Sequence, residues 1–266
     1  MGEARRPNRR QVLTGSAALA LTPGVVRAQS ARPLKIGVMN DMSSVYADYQ
    51  GVGSVIAAKL AVDDFSKPLG VPVEIISADH QNKPDVGAAI ARRWFDEDHV
   101  DVIMDLPNSA VALAVVAVAQ EKNKAVIGSG AGSSVLTGPK CSRIFVHWTY
   151  DTYSWGTGLG KAVTEAGGKS WFFITADYAF GKDLEANCAA AVQAAGGKVI
   201  GSVRHPINTP DFSSFLLQAQ SSEADVVAFA NAGGDTSTCF KQAHEFGLGA
   251  KQKLAGLTLN VTNVPG

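Results

Sequence analysis

Cysteine is scarce: Cys141, Cys188 and Cys239 are the only three in 266 residues, and no two have CxxC spacing. That excludes a disulfide-dense small fold and leaves no framework for a zinc site. Net charge is also lacking, because 24 Lys and Arg balance 24 Asp and Glu. A nucleic-acid binder needs a basic surplus, so nucleic acid is not an expected partner. Charged residues are only 18% of the chain and apolar residues 46%. This composition is neither disordered nor coiled-coil, and the length suits one large domain or two ordinary ones.

Catalytic and cofactor motifs are missing as well. There is no GxSxG elbow, no HExxH and no SxxK. Gly168-Lys169-Ser170 resembles the end of a phosphate loop, but position 163 is Val and the segment runs into an apolar stretch rather than a helix. Gly128-Ser129-Gly130-Ala131-Gly132 lacks GxGxxG spacing and follows the fourth apolar run rather than the first. No cofactor and no metal are expected. Asp63-Asp64 and Asp96-Glu97-Asp98 fall at helix ends and read as solvated termini. His80 and His147 have no nucleophile at a catalytic spacing.

The N-terminus reads as an export signal. Arg9-Arg10 precede a mostly small and apolar run at 12–21, Pro23-Gly24 break it, and Val26-Arg27-Ala28 offer small residues before a cut. The paired arginines resemble a twin-arginine signal over 1–28. The run is about half of the roughly 20 residues needed to span a bilayer. Loss of Arg5, Arg6, Arg9, Arg10, Arg27 and Glu3 with this segment takes the formal charge from zero to −4. The mature protein is expected to be soluble, acidic, periplasmic and monomeric.

From residue 34 short apolar runs alternate with helical stretches. Runs at 34–39, 71–77, 100–104, 125–127 and 144–146 frame helical patterns at 46–65, 84–96 and 108–120. The alternation restarts with helical stretches at 152–165, 180–195, 211–219 and 236–246. Apolar runs at 171–175, 199–203, 226–230 and 253–257 lie between or after them. Continuous β-branched runs between helices read as parallel sheets buried on both faces. Gly167-Gly168-Lys169 and Gly196-Gly197-Lys198 each sit between a helix and a strand, where glycine ends a helix in the left-handed region. The expected fold is α/β: two Rossmann-like lobes with parallel sheets flanked by helices, 29–147 and 148–266, joined near 147–151.

Polar and aromatic residues accumulate just after strand C-termini, where open α/β sheets bind ligands. In the first lobe these are Ser43, Ser44 and Tyr46, then Asn108 and Ser109, then Gly130, Ala131 and Ser133. Trp148 and Tyr150 lie at the crossing, and Tyr178, Phe180, Asn231 and Gly233 in the second lobe. Hydroxyls and helix N-termini suit a carboxylate, and aromatic rings suit an apolar ligand body. The free N–H groups of the helix opening at Asn108 and Ser109 are expected to hold the carboxylate. A binding protein, a receptor-coupled sensor and a cleft enzyme all fit such a cleft, but the enzyme predicts a nucleophile elbow or dinucleotide fingerprint that the sequence lacks.

Several motifs carry a resemblance. They are Leu34-Lys35-Ile36-Gly37-Val38 with its Ser/Tyr loop, residues 105–113, the Ser/Gly loop 128–137, Asp177-Tyr178-Ala179-Phe180-Gly181, Asp211-Phe212-Ser213 and Lys241-Gln242-Ala243 before Phe246-Gly247-Leu248. Together they resemble the type I periplasmic solute-binding proteins of ABC importers, in the Leu/Ile/Val-binding branch. The segments 79–85 and 147–153 are similar to a subgroup for small organic or aromatic acids. The resemblance implies two lobes closing as a Venus flytrap on an amino acid, amide, or aromatic or short organic acid, with an ABC permease and ATPase as partners. It places ligand contacts at Ser43–Tyr46, Asn108, Ser109, Gly130 to Ser133, Tyr150, Tyr178 to Phe180 and Asn231 to Gly233. Thr258 stands where amino-acid binders of this family carry an acid for the ammonium, and Ala232 where they often carry an aromatic. Ligands without an α-amine are therefore expected. The family continues beyond the position matched by Gly266, so the resemblance implies an incomplete second lobe. Apolar faces such as those of 108–120 or 236–246 are then expected to lack cover.

Overall fold

The structure, a computed structural model, describes residues 32–263. The expected export segment at 1–28 lies outside the described residues. Two parallel sheets organise the chain. The first contains β1 (Leu34–Asn40), β2 (Val73–Asp79), β3 (Val102–Asp105), β4 (Ala125–Gly128) and β5 (Phe145–His147), in the order β2-β1-β3-β4-β5. The second contains β6 (Ser170–Ala176), β7 (Lys198–His205), β8 (Val226–Ala230) and β9 (Lys253–Gly256), in the order β7-β6-β8-β9. Helices connect them: α1 (Gly51–Leu69), α2 (Pro84–Asp96), α3 (Ser109–Lys122), α4 (Thr152–Glu165), α5 (Ala179–Ala194), α6 (Ser213–Ser221) and α7 (Gly234–Glu245). Among the described residues, no helix is long and apolar enough to cross a membrane.

The second sheet shows why its strands form. In β6, Trp171 and Phe173 face a core with Leu184, Cys188 and Val192 of α5, while Phe172 and Ile174 face another with Phe212, Leu216 and Cys239. In β8, Val226, Ala228 and Ala230 join the first core, and Val227 and Phe229 the second. Side chains alternate across a strand, so a continuous apolar run buries both faces under helices. Gly156 and Gly160 of α4 bring α5 close; a Cβ on Gly160 would come within 2.9 Å of the Cys188 carbonyl. Gly167 and Gly196 take φ of +99° and +80° between helix and strand, as their repeated motif predicts.

The first sheet packs α2 and α3 on one face through Met39, Trp94, Ile103, Val111, Val115 and Val126. Two expectations fail here. The helix predicted from Tyr46 starts at Gly51 instead, because residues 45–50 form turns pinned by local hydrogen bonds, leaving Tyr46 and Tyr49 on a loop. The helices expected to lack cover are covered: Val111, Ala112, Val115 and Ala119 of α3 and Cys239 and Ala243 of α7 are fully buried. The uncovered apolar face belongs to α1, where Val52, Ile56, Leu60 and Phe65 are each more than half exposed. Cys141 is exposed, Cys188 and Cys239 are buried, and all three are unpaired.

In both sheets an early strand has neighbours on either side that were reached by opposite crossovers: β1 between β2 and β3, and β6 between β7 and β8. Connections leave such a strand in opposite directions, and a crevice opens at its C-terminal end. The crossing from β5 to α4 brings these two crevices face to face.

Candidate functional site

The loop after β1 is built around one buried carboxylate. Asp41 accepts from the Ser44 and Tyr46 backbone N–H groups at 3.0 and 2.9 Å, from Ser44 Oγ at 2.8 Å and from Asn82 Nδ2 at 2.6 Å. Ser43 Oγ donates to Asp79 at 2.6 Å. A buried charge persists only when hydrogen-bonded this fully. The two serines therefore shape the loop, and the loop aims Tyr46 into the crevice.

The resulting pocket is tightly closed, with a cavity volume of about 20 Å³. Tyr46 and Tyr49 enter it from the loop after β1, Pro107 follows β3 and Gly130 follows β4. Tyr150 and Trp155 come from the crossing and α4. Tyr178 and Phe180 follow β6, Ala232 follows β8, and Thr258 and Asn260 follow β9. Tyr150 stacks on Trp155 with ring centroids 3.9 Å apart, Trp155 meets Phe180 edge-on at 6.3 Å, and Tyr178 lies 5.9 Å from Phe180. The Tyr46 and Tyr178 hydroxyls, one from each lobe, hydrogen-bond to each other. Among the described residues, the lining holds no Lys, Arg, His, Asp, Glu, Ser or Cys. Thr258 donates its hydroxyl proton to the Asn231 carbonyl.

Electrostatics around the tyrosines are one-sided. Burial pushes the phenols of Tyr46 and Tyr178 well above the usual range, and the Asp235 carboxylate adds to both. Tyr49 is pushed up to about 12, by burial and then by Asp105. Asp105 is itself pushed up by burial, against hydrogen bonds from Ser54, Ser129 and Asn40. Burial first, and the nearby carboxylates second, keep the hydroxyls of the aromatic lining protonated.

The lobes touch beyond the tyrosine pair. Gly234 N–H donates to the Val45 carbonyl at 3.0 Å. Asp183 of α5 accepts across the lobes from Ser133 Oγ at 2.8 Å, Ser134 N at 2.8 Å and Ser134 Oγ at 2.9 Å, and within its own lobe from Thr152 Oγ1. Gly233, at φ +63°, faces the Val45 carbonyl, which a Cβ would approach to 2.4 Å.

Known proteins resemble this chain over the described lobes. The sequence matches the family described as periplasmic binding protein over residues 33–266. The chain belongs to that family, in its Leu/Ile/Val-binding-protein branch. The Leu/Ile/Val-binding protein homolog 6 of Brucella melitensis is 26% identical over 230 residues, 85% of this chain and 58% of that protein. A crystal structure of a periplasmic binding protein from Burkholderia mallei is similar with TM-score 0.85 and 50% identity, over 88% of this chain and 62% of that one. A solute-binding protein of an ABC transporter from R. palustris, solved in complex with 4-hydroxybenzoate, is similar with TM-score 0.77 and 26% identity, over 84% of this chain and 61% of that one. The chain therefore spans 58% to 62% of the length of these relatives.

Of the residues singled out by sequence, the fold brings Tyr46, Gly130, Tyr150, Tyr178 and Phe180 to the pocket lining. The others have different employment. Ser43 and Ser44 hold the Asp41 loop. Asn108 caps α3, accepting from the Ala110 and Val111 N–H groups at 2.9 and 3.1 Å, which are therefore not free for a ligand. Ser109 is fully buried and accepts from Ser133 N–H at 3.1 Å. The Ala131 carbonyl pairs with His147 Nε2 at 2.6 Å, and Ser133 bonds Asp183. Asn231 accepts from Thr236 at 2.9 Å. Trp148 stands 75% exposed. Lining residues that the site reading did not give as contacts are Tyr49, Pro107, Trp155, Thr258 and Asn260. Tyr49 and Trp155 were read as parts of helices, and Asn260 lies past the last apolar run. The spacing of Tyr49 three residues after Tyr46, on the same loop, was the available signal.

Proposed function

We propose that this binding protein captures a small aromatic carboxylate between its lobes in the periplasm and delivers it to the permease and ATPase of an ABC importer. The observation that carries this reading is the pocket lining: six aromatic rings contributed by both lobes, without a charged side chain. Such walls suit a flat apolar body. Thr258, which lies where a carboxylate would hold an amino-acid ammonium, has its hydroxyl committed to Asn231, so a buried ammonium would lack a counter-charge. Among the described residues no acceptor meets the N–H groups of Ala131 and Gly132, of which Gly132 lies beside Phe180 and Tyr150, and backbone amides of this kind suit a carboxylate. The R. palustris neighbour in complex with 4-hydroxybenzoate supports the same ligand class. The paired arginines and short apolar run at the N-terminus support export.

A thermal-shift and calorimetry series tests the reading. Benzoate and hydroxybenzoates are expected to bind, each adding about 2.7 kcal/mol of stability at roughly 100-fold above its Kd. Leucine and valine, the ligand class in the name of the Brucella relative, are expected to rank below them. The reverse ranking overturns the aromatic-acid reading and favours a branched-chain amino-acid binder.

A further inference from the structure

We propose that the Tyr46–Tyr178 hydroxyl pair reads a neutral hydroxyl on the ligand, so that the pocket selects hydroxylated aromatic carboxylates over unhydroxylated ones. The inference rests on the aromatic-acid reading above and assigns it a polar end.

The two phenols come from opposite lobes, Tyr46 from the loop after β1 and Tyr178 from the start of α5, and meet at their oxygens inside the pocket. When one hydroxyl donates to the other, the second keeps its own proton. Among the described residues no protein acceptor takes that proton. The pair thus presents one donor and unshared lone pairs to whatever enters. A ligand hydroxyl satisfies both sides, accepting from the free O–H and donating to the partner oxygen. A bare C–H at the same place leaves a buried donor unpaired, which is the penalty that lets polar sites reject analogues lacking a hydroxyl.

Charge fixes which end of the ligand lies here. Asp235 acts on both phenols, and Asp41 on Tyr46, which also donates its backbone N–H to Asp41 at 2.9 Å. A carboxylate or phenolate beside the pair meets these negative charges without a cation in the lining. A neutral hydroxyl does not. The N–H groups of Ala131 and Gly132, on the loop that carries the lining residue Gly130, meet no acceptor among the described residues and suit the carboxylate, and the stacked Tyr150 and Trp155 rings line the pocket.

Calorimetry on the whole chain with benzoate, 4-hydroxybenzoate, 3-hydroxybenzoate and 4-methoxybenzoate tests the assignment. At least one hydroxybenzoate is expected to bind about tenfold or more tighter than benzoate, and 4-methoxybenzoate, which accepts but does not donate, to lose most of any advantage of its hydroxyl counterpart. In Tyr178→Phe and Tyr46→Phe the hydroxybenzoate-to-benzoate ratio is expected to fall to within about threefold of unity. The ratio is the readout because a general loss of affinity leaves it unmoved. Equal affinities in the wild type, or a ratio preserved in both variants, overturn the role of the pair while leaving the aromatic-acid reading standing. If no benzoate binds and leucine does, that reading falls and this inference with it.

Discussion

At the scale of single residues, a glycine lies at the closest backbone approach of the two lobes that the tyrosine pair spans. Gly233 lies at φ +63°, with the Val45 carbonyl 2.4 Å and the Tyr46 ring 3.0 Å from where a Cβ would stand. Alanine there meets both a backbone carbonyl that has little room to move and a conformation that L-residues avoid, a local cost of about 1–3 kcal/mol. Gly233→Ala is therefore expected to weaken ligand binding at least about tenfold through the lost Gly234–Val45 and Tyr46–Tyr178 contacts. Small-angle scattering should show less contraction on ligand addition than in the wild type. Full affinity and full contraction would show that the lobes tolerate the extra atom. Ser109 illustrates the opposite case. It was the sequence's leading candidate for an anion contact, yet its hydroxyl holds the Ser133 amide and so places the loop that reaches Asp183.

At the scale of elements, α3 shows how capping and packing divide the work. Its apolar residues are buried against α2 and the sheet, so few polar contacts fix where it begins. Asn108 does this by accepting from two backbone N–H groups of the first turn. Asn108→Ala leaves both donors buried without an acceptor, and a cost of about 1–2 kcal/mol is expected, read as a lower urea midpoint with unchanged slope. Asn108→Asp, which retains the acceptor, should recover most of it. An unchanged midpoint for the alanine variant would mean that water or another group caps the helix. The exposed face of α1 is the contrasting element: its buried residues are only Gly51 and Val55, and its large apolar side chains face outward.

At the scale of the whole molecule, two buried titrating groups, one in each lobe, oppose each other. Burial lowers His80 to about 4 and raises Asp235 to about 6. Between its unfolded value near 6.5 and its folded value, His80 refuses a proton that the unfolded chain binds, so stability falls on acidification through that window. The loss is at most about 3 kcal/mol. Asp235 keeps a proton that the unfolded chain has released, so its contribution is fully present below its unfolded value near 3.8 and is lost as pH rises through 6. Acidification therefore weakens the fold through His80 and strengthens it through Asp235. Urea midpoints at about pH 7 and about pH 4.5 should show His80→Gln gaining stability in acid relative to the wild type, and Asp235→Asn losing it. Parallel pH profiles for all three proteins would show that neither group titrates between the two states.

The sequence by itself determined the architecture. Runs such as 171–174 and 226–230 are apolar at every position, and only a strand covered on both faces buries them, which dictates parallel sheets between helices. The same alternation marked the strand ends where a crevice forms, and Tyr46, Tyr150, Tyr178 and Phe180 were legible there because aromatic rings after a strand have few local uses. The hydroxyls and amides were not legible in this way. A Ser, Asn or Thr beside a strand end can cap a helix, brace a loop or face a ligand, and all three uses look alike locally. What decided among them was the position of partners far along the chain: Ser133 meets Asp183 fifty residues on, and Thr258 meets Asn231 twenty-seven residues back. Tyr49 and Trp155 reached the pocket for a related reason. Where a helix starts depends on the turns that precede it, here pinned by hydrogen bonds within 44–50, and which of its faces turns inward depends on packing against elements far along the chain.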